Sequence, residues 1–173
     1  MDTILSPFVQ NRKCLFGTIS NGIMILNEVG KMMSALCKNQ AIMYSNLNVD
    51  EFIIMPNHIH GIIQIHNNDL YNIVEAGPCA DLIVGTGPCG GPLSIPEIIR
   101  NFKSITTNKY IHGVKNLGWR SFEKSLWQRN YYEHVIRNEN ALNQIRQYII
   151  DNPMNWDTDK ENPFYSEKEK LIT

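Results

Sequence analysis

The chain has 173 residues, of which 43% are hydrophobic and 19% charged, with a formal net charge of −1 at pH 7. That length suits one domain with a substantial core, and the balance is that of a globular rather than a disordered or membrane chain; near-neutrality counts mildly against coating duplex DNA through bulk positive charge and leaves room for a local basic face. No basic start followed by an apolar run and a cleavage site opens the chain, and no apolar stretch reaches spanning length, so a cytoplasmic protein with no membrane partner is expected.

In chain order, Ile4–Val9 reads as an imperfect first strand. Pro7 within it removes a ladder donor and is expected to demote a central strand, leaving a start that is either truncated or bent. Leu15–Ile19 and Ile23–Leu26 flank Asn21-Gly22, a pair that favours a tight hairpin turn. Asn27 then suits a helix N-cap, and Val29, Met32, Met33 and Leu36 recur at the spacing of one apolar helix face, ending near Tyr44. Val49–Ile54 is rich in β-branched and aromatic residues, reads as a strand and stops at Pro56; a second strand follows from about His58 to Ile65. Residues 67–93 are rich in Gly and Pro with little periodicity and read as a long loop without chemistry.

Ser94 and Glu97 form a capping box with Pro96 in the first turn, opening a helix through Ile98, Ile99, Phe102 and Ile105. Trp127–Ile136 reads as a strand, and Asn138-Glu139 as the cap and first turn of a helix containing Leu142, Ile145 and Ile149, closed by Pro153. The resulting order is α+β: a ferredoxin-like (split βαβ) antiparallel sheet with helices on one face, a further C-terminal helix, and the other sheet face free for a ligand. A single domain is expected over residues 1–156, with 157–173 a C-terminal tail. The four cysteines, Cys14, Cys37, Cys79 and Cys89, lack the close pairing of a zinc or redox motif and read as free thiols.

Side chains alternate along a strand, so His58 and His60 project from one face, about 7 Å apart at Cα. Two imidazoles so placed can converge on one ion, while Ile59, Ile63 and Ile65 take the opposite, core-facing side. Taken alone, a His-x-His pair more often marks two surface histidines. On the last helix, four-residue spacing sets Tyr148 beside Asn152, with Leu142 and Ile149 turned to the core, and this helix is expected to close over the histidine pair. By themselves these two also fit a core-edge aromatic and a helix-terminating residue before Pro153.

The run Met55-Pro56-Asn57-His58-Ile59-His60-Gly61 resembles the His-hydrophobic-His motif of the single-tyrosine HUH transposases, which include insertion-sequence enzymes and the REP-associated tyrosine transposases. The block Leu126-Trp127-Gln128-Arg129-Asn130-Tyr131-Tyr132-Glu133-His134-Val135-Ile136-Arg137-Asn138 is similar to the segment ahead of their catalytic helix, and Tyr148-Ile149-Ile150-Asp151-Asn152-Pro153 agrees as well, so that the likeness runs from about Cys14 to Trp156. The resemblance implies a DNA-nicking and strand-joining enzyme with Tyr148 as nucleophile and with Mg²⁺ or Mn²⁺ held by His58, His60 and Asn152. It implies a 5′-phosphotyrosine intermediate, single-stranded DNA with hairpin or palindromic structure as substrate, association with the nucleoid when bound, and either a monomer or a homodimer.

For the DNA backbone the candidates are Arg100, Lys103 and Lys109 on the second helix, Lys115 and Arg120 beyond it, and Arg129 in the last strand. Trp119 or Trp127 could stack a base, although each basic residue singly also fits a solvated face and Trp127 fits the core best. Tyr131 and Tyr132 are rival nucleophiles that alternate faces and suit packing or stacking better. Two other readings stay open. One is a DNA-hairpin-binding module that does not cut, prompted by Pro7; the other is a small metal hydrolase using water, for which no carboxylate stands at ligand spacing beside the histidines.

Overall fold

The computed structural model describes residues 2–43, 47–66 and 94–165. β1 (Asp2–Val9) passes through a 3-10 turn at Gln10–Arg12 into the hairpin of β2 (Gly17–Ser20) and β3 (Ile23–Leu26). Then come α1 (Glu28–Met43), β4 (Leu47–Ile54), β5 (Ile59–Ile65), α2 (Ile95–Asn116), β6 (Trp127–Ile136), α3 (Glu139–Asp151) and a 3-10 helix at Asn152–Thr158. Tyr44 and the expected 67–93 loop, with Cys79 and Cys89, lie outside the described residues.

The main sheet has the order β4-β5-β1-β6 with every neighbour antiparallel, the split βαβ arrangement expected, to which β2 and β3 add a separate two-stranded sheet. Local chemistry sets the element ends. Asn21 and Gly22 turn the hairpin at φ 52 and 73, the left-handed pair that matches strand twist. Asn27 accepts the amide of Gly30 at 2.9 Å, and Asn138 that of Ala141 at 2.8 Å. The Ser94–Glu97 capping box is formed, and its hydrogen bonds from Ser94 hold the Glu97 carboxyl below its usual range.

Two expectations are corrected. β1 is central, paired to β5 and β6 at once, in spite of Pro7. Its ladder with β5 covers Asp2–Leu5, and its ladder with β6 shifts register between Pro7 and Val9, so the missing N–H falls where pairing is already interrupted. The sheet face opposite α1 and α2 is not left free for a ligand along its length: α3, the helix expected to close over the histidines, also buries an apolar strip there. On the α1–α2 side, Leu5, Leu47 and Ile63 pack against Ile95, Ile98 and Ile99, while Val9, Ile54 and Ile59 pack with Met33, Leu36 and Phe102. On the other side, Ile4, Ile62 and Ile136 form an apolar strip, and Leu142 and Ile149 of α3 cover it. Leaving three such side chains wet would forgo roughly 1.5–3 kcal/mol each, which is the reason the helix lies there.

Gly30, near the start of α1, passes so close to residue 16 that a Cβ would lie 2.1 Å from the Phe16 carbonyl oxygen. Alanine gains about 1 kcal/mol over glycine in a helix, yet overpacking against fixed backbone costs about 1–3 kcal/mol or more. Gly30→Ala is therefore expected to lower the thermal midpoint. A midpoint unchanged or raised would mean that α1 shifts freely away from the β1–β2 connection.

Candidate active site

β5 alternates as its sequence requires. Ile59 and Ile63 face α1 and α2, whereas His60 and Ile62 face α3; His58, one residue before the strand, bridges to Phe8 on the same side. The imidazoles of His58 and His60 meet edge to face with centroids 4.5 Å apart, and their Nε2 atoms are 2.9 Å apart. Phe8 and Trp156 flank the His58 ring at 5.2 and 6.1 Å. The expected pairing of the histidines on one face is present, but they are buried, at 0% and 7% exposure, rather than open to solvent.

The hydrogen-bond partners determine the protons. Asn57 Oδ1 lies 2.7 Å from His58 Nδ1, so that nitrogen carries the proton and His58 Nε2 is left with its lone pair. Two lone pairs at 2.9 Å would repel, so His60 Nε2 donates to it and His60 Nδ1 accepts the Ser6 hydroxyl at 2.6 Å. A hydroxyl can also accept, so Ser6 supports the other His60 tautomer equally well. Burial pushes the His60 imidazole down to about 4, and burial together with the charge of His60 pushes His58 well below its usual value. Both rings are therefore neutral at pH 7, the state in which imidazole ligates a metal.

Tyr148 and Asn152 arrive on the helix that covers this face. The Tyr148 ring stands edge-on to His60 at 5.4 Å, while half of the residue remains exposed. Burial raises its phenol above the usual value, and a hydrogen bond from the Asn152 side chain acts in the opposite sense. Asn152 itself is 3% exposed, and its Oδ1 is buried without a hydrogen-bond partner. An orphaned amide oxygen is costly unless something else satisfies it. Among the described residues the other such oxygen, Thr3 Oγ1, belongs to the opposite sheet face by alternation from Leu5. Two convergent neutral imidazoles and one free amide oxygen fit a divalent cation. Among the described residues no group of three or more His, Cys, Asp or Glu side chains is placed to hold one. A third protein ligand would accordingly be the amide oxygen.

The candidate DNA contacts sit elsewhere. Arg100 and Lys109 are exposed on α2, across the sheet from the histidines, as is Lys115; Arg120 is exposed after the helix and Arg129 on β6. Lys103 is engaged: its Nζ donates to the carbonyls of Gln128, Arg129 and Asn130 at 2.9, 3.3 and 3.2 Å and lies over the Tyr131 ring. Trp127 is buried with its indole N–H on Thr106, the core role favoured for it, and partly exposed Trp119 packs edge-on against Tyr110. Tyr132 presents a stacking face: it pairs with Ser6 on the histidine side, is 53% exposed and interacts with Tyr148.

No family model matches the chain. An uncharacterized protein of Haemophilus influenzae is 36% identical over 156 residues, covering 87% of this chain and 79% of its own length. The chain belongs to that protein's family. Among solved structures, a REP-associated tyrosine transposase bound to a REP hairpin aligns with a TM-score of 0.56 and 15% identity, over 89% of this chain and 67% of its own. A Deinococcus radiodurans protein described as a candidate transposase aligns with a TM-score of 0.50 and 16% identity, over 88% of this chain and 90% of its own. At such identity the likeness establishes the fold: the chain shares the α+β fold of these transposases. No helix among the described residues is long and apolar enough to cross a membrane.

Some contributors to the site were not anticipated from sequence. Asn57 and Ser6 orient the two histidines, and Trp156 covers one of them. Beyond the expected domain end at residue 156 the chain keeps packing: Asn162 is buried and Glu161 pairs with Arg12. Asn57 was legible in principle, since a polar residue directly before a His-x-His pair is well placed to hold a ring nitrogen.

Proposed function

We propose that the protein is a metal-dependent single-stranded DNA transposase of the single-tyrosine HUH type, cleaving and rejoining DNA near hairpins through Tyr148. The observation that carries this reading is the convergence of one helix on one strand: α3 brings the half-exposed Tyr148 ring against His60 of the buried histidine pair, and Asn152, at the end of that helix, binds Tyr148 through its side chain and keeps a buried amide oxygen without a hydrogen-bond partner. Mg²⁺ or Mn²⁺ held by His58, His60 and Asn152 would supply charge neutralisation at a phosphate. Tyr148 Oη attacks phosphorus; the P–O3′ bond breaks as the P–Oη bond forms, the phenolic proton is lost, and the 3′ oxygen leaves as a hydroxyl. The product is a 5′-phosphotyrosine ester. Attack by a second 3′-hydroxyl reverses the exchange and rejoins DNA without ATP, because one phosphodiester replaces another. The amide donated by Asn152 to the phenol favours its ionised form, which burial opposes. Tyr132, beside Tyr148 on the open edge of the sheet, suits stacking on an unpaired base.

The likeness to a transposase bound to a REP hairpin supports hairpin DNA as the substrate. The non-cutting alternative was prompted by Pro7, and β1 runs through that residue as a central strand, with a register shift against β6 between Pro7 and Val9. The deciding assay incubates the protein with a labelled single-stranded hairpin oligonucleotide and Mn²⁺ and resolves the mixture on a denaturing gel. A covalent adduct is expected. Tight binding of palindromic substrates with no adduct would favour the binding module instead.

A further inference from the structure

Asn57 is 1% exposed and joins three parts of the molecule. Its Nδ2 donates to the carbonyl oxygens of Arg12 at 3.0 Å and Glu161 at 2.8 Å, while Oδ1 faces His58 Nδ1. Two carbonyl acceptors demand the NH₂ end of the amide, so the group cannot be reversed, and its oxygen is left to accept the ring N–H of His58. The amide thereby selects the tautomer whose Nε2 lone pair faces His60.

The two carbonyls lie far apart in sequence and are brought together by a side chain at the surface. Arg12 donates to Lys160 O at 2.9 Å and pairs with the Glu161 carboxylate at 3.1 Å. Its backbone is left-handed, φ 52, a conformation that a non-glycine residue keeps only when its surroundings hold it. The segment at Glu161 is itself folded: Asp159 Oδ1 accepts the Glu161 amide, and Asn162 donates to Trp156 O. Trp156 in turn lies against the His58 ring.

We propose that Asn57 is the positioning residue of the metal site and that the Arg12–Glu161 clasp controls it. When the 159–162 segment closes on the Gln10–Arg12 turn, Asn57 is anchored, His58 is held in its ligating tautomer, and affinity for a divalent cation rises. A ligand or partner that opens the clasp lowers that affinity. This rests on the reading of His58 and His60 as ligands.

The test titrates the full-length protein with Mn²⁺ by calorimetry and records ring ¹H–¹⁵N correlations of its histidines. Wild-type His58 is expected to be protonated at Nδ1 before metal is added. Asn57→Ala is expected to mix the tautomers and to weaken Mn²⁺ binding by about 10–100-fold, the usual range for an outer-shell partner. Arg12→Ala, a surface change that carries the test if Asn57→Ala does not fold, is expected to weaken it by up to about fivefold, the scale of an exposed ion pair. Arg12→Lys should recover part of that loss. Wild-type affinity or an unchanged His58 tautomer in Asn57→Ala overturns the positioning role, and Arg12→Ala indistinguishable from wild type in both measurements overturns the clasp. Failure of the metal assignment is distinct: wild type then takes up no Mn²⁺, or takes it up equally after His58→Ala and His60→Ala, while the tautomer spectra still judge Asn57.

Discussion

Tyr148→Phe is expected to leave the fold and metal uptake intact and to lower strand cleavage by at least about a thousandfold, the scale on which losing a covalent nucleophile acts. The residue is half exposed and phenylalanine keeps the edge contact with His60, so the substitution removes only the hydroxyl and the hydrogen bond it accepts from Asn152. Cleavage of a labelled single strand measures the effect, with a melting curve as the control. Cleavage that survives the substitution would make water the nucleophile and return the site to the hydrolase reading.

The second large effect belongs to Ile149. It is fully buried in the cluster formed with Ile4, Ile62, Ile136 and Leu142, which lies across the sheet from the α1–α2 core. Ile149→Ala is expected to cost about 2–5 kcal/mol, the range for removing a buried isoleucine side chain. The loss should be local at first. α3 is held by this small cluster and by Arg146, whose guanidinium grips Asp50 of β4 at 2.7 Å, so its amides should exchange faster while those of α1 and α2 keep their protection. Cleavage should fall with that loosening, because the same helix carries Tyr148. Uniform loss of protection across the whole domain would mean that α3 is not a separate unit.

Much of the fold was legible because its signals are local. The Ser94–Glu97 box, the Asn21-Gly22 turn and the Asn138 cap each depend on a few neighbouring residues, and alternation alone put His58 and His60 on the same face. That the helix bearing Tyr148 closes over that face was expected, but what holds it there was harder to see. Ile4, Ile62 and Ile136 come from three strands, and only the sheet order reveals them as one strip that α3 must bury. The same limit hid Ser6, whose partner lies 54 residues away, and the role of Lys103, which a helix-face pattern presents as a solvated cation although it binds three carbonyls of β6. Trp127 is the core residue its sequence context favoured, with its indole N–H bound to Thr106 of α2. Pro7 misled for a related reason: proline chemistry is local, whereas the register shift that accommodates it depends on β6.

The most direct measurement is mass spectrometry of the protein after reaction with a single-stranded hairpin oligonucleotide and Mn²⁺, followed by protease and nuclease digestion. The expected result is one modified peptide containing Tyr148, carrying a nucleotide through its 5′-phosphate, and absent when both His58 and His60 are replaced by alanine. A modification on Tyr131 or Tyr132, or cleaved DNA with no modified peptide, would contradict the assignment of α3 as the helix that bears the nucleophile.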